Sequence, residues 1–149
     1  MSKILGNSMS QELVELFNKE LTTVVLSTIT EEGFPHAMPV HLMAAPDEKT
    51  VRFALVKGHK TTANIKNNAN AFITVLEGPD MAMGIRGVAK VIQEPMEGNA
   101  AMSMIEFKVE EIKSDTTPTV IVNEGVRTQH RTDKTKDFFR VMFDELTKG

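Results

Sequence analysis

Cysteine, tryptophan and tyrosine are all missing from this chain of 149 residues. Without cysteine there are no disulfides, iron–sulfur clusters, thiol redox chemistry or cysteine-rich zinc sites, and a reducing cytoplasm is the expected setting. Without tryptophan and tyrosine, eight phenylalanines and ten methionines supply the bulky contacts. Long apolar runs are missing too. No stretch approaches the roughly 20 residues that a transmembrane helix needs. The opening "MSKILGNSMSQELVELFNKE" is broken by charges where a signal peptide has an apolar core, so no membrane partner is expected. A formal net charge of −3 gives no electrostatic footprint for nucleic acid. Neither a G-x-G-x-x-G fingerprint nor a P-loop is present, so no dedicated NAD(P) domain is expected.

The length suits a single domain over residues 1–149 with a core that needs no disulfide or metal. "SMSQELVELFNKE" places Leu13, Leu16, Phe17 and Leu21 at helical spacing, and Ser8 with Gln11 resembles a capping box. "LTTVVLSTI" reads as a strand, "EEGF" as its turn, "HAMPVHLMA" as a second strand, "PDEK" as a turn and "TVRFALV" as a third strand. These three suggest an antiparallel meander. "TTANIKNN" is long enough for two helical turns, and "AFITVLE" and "AMGIRGVAKVI" add two strands around a turn at Gly78 to Asp80. After Pro95 the spacing of Ala101, Met104, Ile105, Lys108 and Ile112 predicts a helix, and "TPTVIV" predicts a sixth strand. From Thr132 onward, Phe138, Phe139, Met142, Phe143 and Leu146 form the stripe of a final helix. That stripe covers either a barrel end or a dimer interface. The sum is an α+β, mainly β fold: a six-stranded antiparallel barrel with flanking helices.

Between Lys49 and Leu76 this acidic chain has no aspartate or glutamate, yet carries Lys49, Arg52, Lys57, His59, Lys60 and Lys66. A patch of one sign favours a bound anion. Within "GHKTTANIKNN", Lys60 suits a phosphate as a point charge, and Thr61 and Thr62 suit it as hydroxyl donors. A helix beginning near Thr61 would aim its N–H groups and positive dipole end at the same place. A solvated basic face with a threonine N-cap explains the same residues.

Gly33 to His36 reads G-x-P-H, His59 to Asn64 reads H-K-T-x-x-N, and Ile85 to Gly87 reads I-R-G. In that order and spacing the chain resembles the FMN-binding split-barrel family related to pyridoxamine 5′-phosphate oxidase, notably its small bacterial FMN-binding proteins. The resemblance covers Leu21 to Ile92 well and the rest more loosely. It implies a split β-barrel, a homodimer, and FMN at the subunit interface. It implies that Lys60 and Thr61 hold the flavin phosphate with His59 beside them. The isoalloxazine ring would then lie along Met38, Pro39 and Val40 and along Phe53, Ala54 and Leu55. Met38 and Val40 share a strand face, where a polarizable sulfur suits a flat ring; core packing explains the same pair.

Three features depart from the family pattern. Pro39 has no N–H to offer, no tyrosine or tryptophan can stack on the ring, and the arginine- and histidine-rich C-terminal signature of true pyridoxamine phosphate oxidases is missing. Vitamin B6 oxidation is therefore not expected. The expectation is an FMN-binding flavoprotein, a small oxidoreductase or electron carrier served by a small-molecule electron donor or acceptor. The alternatives are a module of the same fold holding FMN, heme or a deazaflavin without turnover, and a ligand-free structural or partner-binding domain. Arg86, beside Gly87, suits either negative charge on the cofactor or a surface strand. His36 and His41 are five apart in one expected strand and face opposite sides, so no metal site is expected. "VRTQHRTDKTK" is basic and reads either as a solvated linker or as a reach toward a partner subunit's ligand.

Overall fold

The structure, a computed structural model, describes residues 2–148. In chain order its elements are β1 (Lys3–Gly6), α1 (Gln11–Phe17), β2 (Val24–Ile29), β3 (Pro35–Val40), β4 (Met43–Asp47), β5 (Thr50–Val56), α2 (Lys60–Asn67), β6 (Asn70–Glu77), β7 (Met81–Gln93), β8 (Met102–Ser114) and α3 (Asp133–Thr147). The strands form one antiparallel sheet ordered β3-β2-β6-β7-β8-β5-β4, with β1 added on β8.

That order makes a geometric demand. Only His41 and Leu42 separate β3 from β4, yet the two strands stand at opposite ends of the sheet. From Val40 to Met43 the chain can reach at most about 11 Å, so the sheet must curl until its ends approach. No ladder joins β3 to β4, and the sheet is not closed. Its inner face carries Leu26, Val51, Phe53, Ile73, Ile85, Ile105 and Phe107, covered by Leu13 and Phe17 of α1. A second cluster lies on the outer side of β4, β5 and β8, where Ala44, Ala54, Met102 and Met104 meet Met142 and Leu146 of α3. No helix among the described residues is long and apolar enough to cross a membrane.

The α+β, mainly β, antiparallel architecture agrees with the sequence reading, but eight strands replace the expected six. Residues 36–44 are not one strand. The chain leaves one sheet end at Val40 and enters the other at Met43, so the meander becomes two separated hairpins. β1 is an added short strand. "TPTVIV" is not a strand; it belongs to an irregular arm in which Val120 and Ile121 are 65% and 68% exposed and no residue pairs with a sheet strand as a ladder.

The expected helix after Pro95 is strand β8. Ile105, Phe107 and Val109 point inward with strand alternation, and then Glu110 is an extra residue, because Gly87 pairs with Val109 while Arg86 pairs with Glu111. The bulge resets the alternation so that Ile112 is inward again. The inward set therefore includes 105, 109 and 112, which mimics the i, i+4, i+7 spacing of a helix. Met102 and Met104, buried against α3 on the other face, complete the imitation.

Helix α1 starts later than expected. Ser10 is the N-cap, accepting from the Leu13 N–H at 3.2 Å, because Met9 before it is buried in the core and fixes where the helix can begin. It ends at the Asn18 cap, and Leu21 lies beyond it with φ of 63°. Helix α3 begins where the sequence places it, with a capping box between Thr132 and Thr135.

Candidate functional site

The sequence around "GHKTTANIKNN" folds as a bridge. The β4–β5 ladder ends where the Ala54 N–H donates to the Leu42 carbonyl, and beyond it β5 runs on without β4 beside it. Helix α2 fills the opening with a polar inner face. Thr61, Thr62 and Asn64 are buried. Thr61 Oγ1 meets the Met38 sulfur on β3 at 2.7 Å, Thr62 Oγ1 donates to the Val56 carbonyl of β5 at 3.0 Å, and Asn64 Nδ2 donates to Thr28 Oγ1 of β2 at 3.1 Å. Three short polar side chains thus tie the helix to both sides of the opening.

The first turn of α2 has a different outer side. His59 is the N-cap, its Nδ1 accepting from the Thr61 N–H at 3.1 Å, which is one of the four N–H groups a helix start leaves unpaired. Lys60 is exposed and has no acidic partner among the described residues. Within the same acid-free window Arg52 pairs with Glu106 at 3.3 Å and Lys66 with Glu94 at 2.8 Å, while Lys49 and Lys57, like Lys60, make no ion pair among the described residues. The Lys66 ammonium holds the Glu94 carboxyl below its ordinary value. An uncommitted ammonium at the positive end of a helix can hold an anion.

The remaining expected site residues divide into groups. Met38 is half-buried against Thr61, Pro39 is exposed on the outer face of edge strand β3, and Val40 is buried. Phe53, Ala54 and Leu55 are 0%, 4% and 7% exposed; Phe53 and Leu55 sit in the inner core and Ala54 in the outer cluster. Met38, His59, Lys60 and Thr61 are brought together at one seam. Arg86 is not joined to them by any contact. Its side chain is 62% exposed on β7, with Glu110 and Glu111 each 3.9 Å away.

The two histidines do not share a strand. His36 is on β3, and its Nδ1 is buried without a hydrogen-bond partner. His41 falls in the β3–β4 crossover, its Nδ1 2.8 Å from Thr23 Oγ1. The basic segment after Gly125 docks on its own chain. Arg127 makes paired contacts to Glu77 at 2.7 and 3.1 Å, and His130 Nε2 lies 2.8 Å from Glu20. Glu77 also accepts from the Gly78 and Gly125 N–H groups, and with Arg127 these hold its carboxyl down from 4.5 to about 2. The contact is too close for side chains: a Cβ on Gly78 would lie 1.9 Å from the Asn123 carbonyl oxygen, and one on Gly125 2.1 Å from that of Leu76.

Two concavities lie elsewhere. One of about 250 Å³ is enclosed by the α1–β2 turn, the β3–β4 crossover and α3. It shares Leu21, His41 and Phe139 with a shallower one of about 720 Å³ under residues 128–131. None of the residues expected to hold the cofactor lines either, but the basic segment 126–136, which the sequence offers as a reach toward a ligand, and the apolar stripe of α3 both contribute. The cleft as a whole has no local signal, because it assembles from segments about a hundred residues apart.

Comparison with known proteins places these observations. No curated protein matches the chain. Among solved structures, a Lactobacillus delbrueckii protein described as a candidate pyridoxamine 5′-phosphate oxidase is 21% identical with a TM-score of 0.62, over 75% of this chain and 98% of that one. An F420 reductase is 18% identical with a TM-score of 0.54, over 66% and 93%. The heme storage protein HutZ from Vibrio cholerae is 11% identical with a TM-score of 0.56, over 72% and 96%. At these identities the likeness is one of fold. A family model described as pyridoxamine 5′-phosphate oxidase matches residues 9–147, and the chain belongs to that family.

Proposed function

We propose that the chain is an FMN-binding flavoprotein, a small oxidoreductase or electron carrier that holds FMN at a homodimer interface. The observation that carries this reading is Lys60, exposed and without an acidic partner at the start of α2, beside the opening between β3 and β5. Lys60 takes the flavin phosphate, together with the N–H groups of the first helical turn. Thr61 contributes by anchoring the turn through the Met38 contact, since its hydroxyl is turned inward and its N–H is held by the His59 cap. His59 fixes the turn by its cap. The ring lies along Met38, Pro39 and Val40, with Phe53, Ala54 and Leu55 as the packed wall behind. When bound, FMN supplies the electron-transfer chemistry, and the protein supplies position and electrostatics.

A single chain leaves this site open on one side. The exposed outer sheet face, with Ala37 and Pro39 on β3, Val25 on β2 and Leu76 on β6, suits a second copy. Arg86, engaged with Glu110 and Glu111 in its own chain, enters the reading through that second copy. Vitamin B6 oxidation stays outside this proposal.

FMN titration tests it. The expected result is a saturable change in visible absorbance with one site per chain, a dimeric mass by light scattering, and affinity about tenfold lower in Lys60→Ala, the loss of one charge-assisted contact. No binding at micromolar FMN would overturn it. A second reading, a module for heme or a deazaflavin without turnover, is favoured by similarly related structures named for heme storage and for F420. Parallel titration with hemin and F420, followed by turnover assays with NADH or NADPH, separates the two. An unchanged ligand profile in Lys60→Ala would instead favour a ligand-free partner-binding domain.

A further inference from the structure

The cleft between α3, the α1–β2 turn and the β3–β4 crossover has the features of a built site, and none of them depends on the flavin reading. Its wall is apolar. Phe139 and Phe143 lie one turn apart on α3 and share a face; Leu42 and Met43 stand in the same cavity. Its rim is charged, with a cationic excess. Lys19 and Lys136 come from different elements, and neither has an acidic partner among the described residues. Glu20 is engaged with His130 at 2.8 Å, so Asp144 is the lining carboxylate without an ion pair. Arg140 adds a third cation, shared with Asp137 at 3.4 Å.

A strained residue in the lining points to a ligand. His41, in the same lining, is exposed and held through Nδ1 by Thr23 at 2.8 Å. Leu21 lines the cavity at φ of 63°, a conformation that a bulky residue rarely adopts and that collects at ligand clamps. Its carbonyl is held by Thr128 Oγ1 at 3.3 Å. The volume of about 250 Å³ lies just below the roughly 300–1,000 Å³ that accommodates drug-sized ligands, which fits one or two fused rings.

We propose that this cleft binds a planar aromatic carboxylate. The ring lies between the Phe139–Phe143 face and Leu42–Met43, and the carboxylate meets Lys19 and Lys136. The probe is 2-naphthoate; because the chain has no tryptophan or tyrosine, naphthyl fluorescence polarisation can be read without protein interference. One saturable site per chain is expected. Neutral 2-naphthylmethanol should bind about tenfold more weakly, as should naphthoate to a Lys19→Glu/Lys136→Glu double variant, the loss of two partly exposed ion contacts. Lys90→Glu, an exposed cation on β7, should leave affinity unchanged. Amide shifts on wild-type protein should cluster at His41 and Phe139, which locates the probe without any variant. Equal affinity for the neutral analogue, an unchanged double variant, or displacement of naphthoate by FMN would each overturn the proposal. Failure of FMN to bind leaves these readouts intact, so the two proposals fall separately.

Discussion

Lys60 stands out from its turn because its neighbours are held inward. Its side chain is exposed, since a long charged side chain keeps its head in water, whereas Thr61, Thr62 and Asn64 are short enough to bond across the seam. The sequence shows residue types suited to a phosphate, but types do not state direction. Thr61 and Thr62 read as hydroxyl donors to a ligand, while in the fold their hydroxyls meet Met38 and Val56. Asn64 gives the sharpest test of the anchoring role. Asn64→Ala leaves the buried Thr28 hydroxyl without this donor, and stability should fall by about 1–3 kcal/mol, the range for an unsatisfied buried polar group. Urea denaturation measures it, and a change within a few tenths of a kcal/mol would show that α2 is held by something else.

Strand β8 shows how an element can be misread for a stated reason. Its inward residues are spaced by a bulge at Glu110, and the resulting pattern has the period of a helix. Inserting an alanine between Glu111 and Ile112 should expose the device. The lengthened strand would carry Ile112, normally 2% exposed, to the opposite face, since a one-residue slip inverts every side chain beyond it. Deleting Glu110 would instead remove the bulge and leave Val109 and Ile112 both inward. Burial of an isoleucine is worth about 1.5–3 kcal/mol, so the insertion variant should lose at least that much in thermal or urea unfolding; wild-type stability would mean that the bulge does not fix the register beyond it. Helices α2 and α3 were legible because both carry local signals. His59 or Thr132 begins them, and α3 has an apolar stripe of its own. The start of α1 was not, since two serines compete and only the burial of Met9 decides between them.

At the scale of the whole molecule, an irregular arm after β8 ties the β6–β7 hairpin to the α1–β2 turn. Residues 115–131 run from β8 past the β6–β7 hairpin to the α1–β2 turn, fastened at Glu77, Asp80, Leu21 and Glu20. The Glu77 fastening carries a pH signature. Its carboxyl titrates near 2 when docked and at 4.5 otherwise, so the docked arm binds fewer protons. The contribution is full above about pH 4.5, declines as pH falls below it, and is gone below about 2. The Gly125 amide resonance should therefore hold steady above pH 4.5 and move in acid, with a midpoint nearer 4.5 in Arg127→Ala; identical titrations in the two proteins would refute the fastening. From the sequence alone came the mainly β class, the strand at 50–56, the two later helices and the family's H-K-T-x-x-N segment, because these rest on local period, caps and turn residues. Only the tertiary structure decided which sheet end receives each strand, that the arm is not a strand, that α2 bridges an opening, and that Lys19, His41 and Lys136 share a cleft. Those features depend on contacts between distant segments, and no local periodicity encodes them.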